Sequence, residues 1–115
     1  MGSVLLLLAL VACRAAASFD GYLVIVNDHP EPAEVRWEPS DPALGRGTEP
    51  IDACSIYRRA FGAGAYEVTV ATPTDIRTFA LSISRASGET MMVHISPDGT
   101  VAEPTQQDSS PQNAC

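Results

Sequence analysis

The stretch Ile51–Thr72, IDACSIYRRAFGAGAYEVTVAT, decides the fold. A strand-like run follows Cys54, Gly62-Ala63-Gly64 supplies a turn, and Tyr66, Val68 and Val70 then alternate with Glu67, Thr69 and Ala71. Alternation of period two is the mark of a half-buried strand. The pattern predicts two strands joined by a hairpin turn at Gly62–Gly64, with no lysine and no following helix to make that glycine pair a phosphate loop.

The same period extends in both directions. Tyr22–Val26 is a continuous apolar run, as expected of a strand covered on both faces. His29-Pro30-Glu31-Pro32 interrupts it, since two prolines remove ladder donors. Ala33–Glu38 then alternates, with Val35 and Trp37 on one side and Glu34, Arg36 and Glu38 on the other; it is expected to pair with the first strand as a hairpin. Pro39–Pro50 holds three prolines and two glycines and reads as a loop crossing between sheets, long enough to mark a candidate functional loop. Further on, Phe79, Leu81 and Ile83 face one way from Ile76–Arg85, and Met91, Val93 and Ile95 return opposite that face. Ser96-Pro97-Asp98-Gly99 is a turn, Thr100–Glu103 a short last strand, and Pro104 opens a polar tail.

About seven short strands with turn signals between them, and no helical periodicity, predict an all-β domain. The arrangement resembles a small immunoglobulin-like β-sandwich, a resemblance of class alone, because the buried Cys-Trp-Cys set of antibody domains is absent.

The formal charge is −7 and the only adjacent cations are Arg58–Arg59, which argues against nucleic acid as a partner. Val4–Ala12 is too short to span a bilayer but fits the apolar region of an export signal. It ends in Leu10-Val11-Ala12-Cys13, which resembles the lipobox of bacterial lipoproteins. That resemblance implies a signal peptide over residues 1–12, lipidation of Cys13, a tether over 13–21, a sandwich over 22–103 and a tail over 104–115. Gly2 and Ser3 depart from the pattern by adding no positive charge. Cleavage after Ala17, giving a soluble secreted domain, and an uncleaved segment are the alternatives. Either cleavage leaves Cys54 and Cys115 in an oxidising compartment, where one bridge is expected; a free or intermolecular thiol at Cys115 is the other outcome.

Candidate chemistry is sparse. Met92 and His94, with His29, could supply soft ligands to copper or zinc, while Met91 faces the opposite side and reads as core. Asp28, Glu31, Glu34 and Glu38 could furnish a carboxylate pair, but Glu34 and Glu38 flank Arg36 in the manner of a solvated strand. No serine sits in a nucleophile motif, and Cys54 has no activating neighbour in sequence. Trp37 could form a binding platform, although its alternation with Val35 places it in the core. The expectation is a non-catalytic envelope domain without a cofactor, held to the membrane by its N-terminal lipid and offering a loop or sheet edge to an envelope protein. A periplasmic metal-binding protein is the alternative.

Overall fold

The structure is a computed structural model that describes residues 19–106 and 113–115. The proposed signal peptide and Cys13 lie outside the described residues. Among the described residues eight strands form: β1 (Gly21–Asn27), β2 (Ala33–Pro39), β3 (Gly47–Ile51), β4 (Ser55–Phe61), β5 (Gly64–Ala71), β6 (Ile76–Ile83), β7 (Glu89–Ile95) and β8 (Thr105–Gln106). They build two four-stranded sheets, ordered β4-β1-β7-β8 and β3-β2-β5-β6. This is the small β-sandwich that the alternation predicts.

The core is filled by the inward residues of both sheets. Leu23, Ile25, Val93 and Ile95 from one meet Val35, Val68, Val70 and Leu81 from the other, all at most 2% exposed. β1 is an inner strand of its sheet, antiparallel to β4 and parallel to β7. Its uninterrupted apolar run now has a reason. Val24 and Val26 point outward, yet they are buried, with Arg58 and Met92 beside Val24 and Ile56 and His94 beside Val26.

Three connections differ from the sequence-based expectation. β1 and β2 are not a hairpin: they lie in different sheets, so the Pro30–Pro32 turn crosses the sandwich. Gly62–Ala63 likewise joins β4 to β5 across the sandwich, because β4 pairs with β1 and β5 with β2 and β6. Conversely, Pro39–Pro50 does not cross. It contains a single-turn 3-10 helix, Pro42–Leu44, and then β3, which returns antiparallel along β2. Pro50 is tolerated there because β3 is an edge strand. Near the C-terminus only Val101 bridges to Ile95, and the last strand is Thr105–Gln106, within the segment read as tail.

Short polar side chains tie each end of the sandwich. At the end where β1 begins, the Asp20 carboxylate accepts from the Ala63 N–H (2.9 Å) and the Ala86 N–H (2.7 Å), joining the β4–β5 and β6–β7 turns. At the opposite end, fully buried Asn27 donates to the carbonyls of Glu31 and Asp52 and accepts from the His29 N–H. Without these partners the turn amides would stay unsatisfied, at roughly 1–3 kcal/mol for each one buried.

The two open flanks are treated differently. Between β4 and β3, Tyr57 Oη and Arg59 Nη1 both donate to Glu49, at 2.6 and 2.7 Å, closing a polar seam over the core. Burial and the adjacent Glu49 carboxylate push the Tyr57 hydroxyl well above its usual range. Between β6 and β7 a cavity of about 80 Å³ remains, with Leu81, Ile83 and Met91 on its apolar side and Glu89, Thr90 and Gln106 on its polar side.

Leu81 is 2% exposed and Ser82 points to solvent. Leu81→Ala is therefore expected to lower stability by about 2–5 kcal/mol in denaturant unfolding, and Ser82→Ala to leave it nearly unchanged.

Candidate functional site

The β2–β3 loop shapes the surface at the end of the sandwich where β1 begins. β2 ends at Pro39, and Asp41 caps the short helix by accepting from the Ala43 N–H at 3.0 Å. Gly47 lets the returning chain pass against the Trp37 indole, where a Cβ would collide with the ring. Leu44 rests in the same way on Gly64, so the loop is docked across the β4–β5 turn.

Beneath it lies a groove of about 270 Å³, with Phe19, Leu44 and Arg46 at its rim and Trp37, Phe61 and Tyr66 in its floor. Phe61 meets Trp37 edge-on at 5.8 Å and Tyr66 at 4.9 Å between ring centroids. The Arg59 guanidinium lies 4.1 Å over the indole while it bridges Glu49, a cation held against an aromatic face. Tyr66 donates to the Gly62 carbonyl at 2.9 Å, which fixes the floor to the turn. Trp37, 6% exposed, is core and forms no open platform. Phe19 and Leu44, at 64% and 38%, are the exposed apolar groups of this end. The length of the Pro39–Pro50 segment signalled the groove; Phe19, Arg46 and Phe61 carried no local sequence signal for it.

At the opposite end, the sulfurs of Cys54 and Cys115 stand 2.13 Å apart, at disulfide-bond distance, across 61 positions of sequence. Cys115 also donates its N–H to Asp28 Oδ1 at 2.7 Å. His94 Nε2 hydrogen-bonds the other oxygen of the same carboxylate. That imidazole contact, helped by the Cys115 amide and opposed by burial, holds Asp28 below the ordinary carboxylate range.

The candidate ligands and carboxylates are engaged separately. His29, buried, places Nδ1 2.7 Å from the Pro97 carbonyl, so in the neutral ring Nδ1–H donates, and among the described residues Nε2 has no hydrogen-bond partner. Glu31 lies 3.6 Å from that Nε2, and Glu34 pairs with Arg36 on the outer face. Met91 packs against the core, while Met92 sits beside Val24 on the outer face. Among the described residues no three His, Cys, Asp or Glu side chains converge as metal ligands. No family model and no curated protein matches the chain.

Two outcomes follow for the cysteine end. Reduction should lower the thermal midpoint, since opening a loop of this length removes up to roughly 4 kcal/mol of denatured-state constraint; differential scanning with and without reductant checks it. The Asp28 contribution carries a definite sign: a depressed carboxylate stabilises the fold above its ordinary value and loses that contribution as pH falls through the folded value. Thermal midpoints should therefore decline below about pH 4, and Asp28→Asn should start lower at neutral pH and decline less.

Proposed function

We propose that this chain is an exported, lipid-anchored and non-catalytic β-sandwich that serves as a binding module at a bacterial cell envelope. The cysteine pair at bonding distance carries the reading, because such a bridge persists in oxidising compartments. The apolar Val4–Ala12 run and Leu10-Val11-Ala12-Cys13 supply the matching export signal and anchor. A non-catalytic role is supported by the structural duties of the candidate reactive groups: Asp28 ties His94 to the C-terminal cysteine, Glu49 seals a flank, and Asp20 clips two turns.

A partner is best accommodated along β6. Two of the four sheet edges are blunted, β3 by Pro50 and β4 by Arg58–Arg59. β6 presents eight residues, with small Thr78, Ala80 and Ser82 exposed on its outer face. Among the described residues nothing pairs with its outer edge. An extended segment of an envelope protein can add there as a further strand, through backbone hydrogen bonds.

Lipidation at Cys13 predicts that the wild-type protein sediments with membranes, since two acyl chains give a stable anchor. Cys13→Ala should leave the precursor unprocessed or divert cleavage to Ala17, shifting protein to the soluble fraction. An intact mass for the wild type that begins at Ser18 without lipid would contradict the anchor and identify a secreted domain.

A further inference from the structure

We propose that the groove end of the sandwich docks on the lipid headgroup layer, so that the anchored domain stands on Phe19 and the β2–β3 loop with its cysteine-linked end outward. The inference rests on the lipid-anchor reading above and deepens it. Six residue-to-residue steps separate Cys13 from Phe19, which limits their separation to about 20 Å even when fully extended. Phe19 is itself a rim residue of the groove. A lipid on Cys13 therefore keeps this end close to the bilayer.

The surface is suited to that position. Phe19 and Leu44 project as apolar groups, and Arg46 beside Leu44 is exposed and positioned to meet a phosphate. Pro42, Ala43 and Gly45 complete the loop tip between the exposed carboxylate of Asp41 and Arg46. Carboxylates stand at both ends, Asp20, Glu38, Asp41 and Glu89 towards the groove and Asp28, Glu31, Asp52, Asp75 and Asp98 in the far turns, so charge alone does not choose between them. The short tether from Cys13, together with projecting Phe19 and Leu44, makes the groove end the contact.

The chain has a single tryptophan, and Trp37 lies in the groove floor, so the protein reports its own orientation. The full chain is expressed in a bacterial host that lipidates exported proteins, its intact mass is measured, and it is reconstituted into phosphatidylglycerol-containing vesicles. Some vesicles carry a headgroup nitroxide. Loss of Trp37 emission in the nitroxide vesicles is expected, and a Phe19→Ser/Leu44→Ser double variant, shown to be folded by circular dichroism, should recover most of it while remaining anchored. Lipidated protein without quenching, as when a second copy or a protein partner covers the groove, would overturn the docking and leave the anchor standing. Equal quenching in wild type and double variant would also overturn it, because tethering alone then brings Trp37 near the lipid. A mass without lipid would remove both the anchor and the docking that depends on it.

Discussion

Everything in this domain depends on burying β1 on two faces and two edges. Leu23 and Ile25 supply the inner face, Val24 and Val26 the outer, and all four are at most 3% exposed. β4 and β7 satisfy the backbone on either side over the whole of Gly21–Asn27. A small domain has little apolar area to spare, so one strand that contributes from both faces is worth more than two that each contribute from one. The parallel β1–β7 pairing follows from this central place, because β7 is delivered from the end where β1 starts.

Closing such a thin core requires different chemistry at each opening. The turns are secured by Asp20 and Asn27, whose short side chains reach several backbone groups at once. The flank beside Trp37 is sealed by Glu49, which accepts from a phenol and a guanidinium together. Such charge-assisted contacts are stronger than neutral ones, and here they stand over aromatic surface that partly excludes water. Lowering of the Asp28 pKa by His94 belongs to the same pattern, a carboxylate serving as a fastener.

The strands were legible in the sequence because side-chain alternation is local, and β2, β5 and β6 show it plainly. Which strands pair was not, because the residues that turn the chain across the sandwich look like hairpin residues. Gly62-Ala63-Gly64 is equally suited to a hairpin and to a crossing, and the crossing is held by Asp20, more than forty positions away in sequence. β3 was hidden by Pro50, which is excluded from a central strand but admissible at an edge. Cys54 adopts φ 49°, a left-handed turn conformation that nothing in its residue type announces. The aromatic groove was legible only as an unusually long loop, since its floor is assembled from β2, β4 and β5, and the side chains that meet there are far apart in the chain.

The ladder on both sides of β1 has a mechanical consequence. Chain leading in through Asp20 continues along the axis of β1, so a pull applied from that side acts parallel to the strand. Seven register pairs to β4 and seven to β7 then share the load in shear, and they must yield together instead of peeling one at a time. The cross-link from Cys54, at the far end of β4, further limits how much chain can be drawn out. A domain so arranged behaves under pull as a stiff link of fixed length.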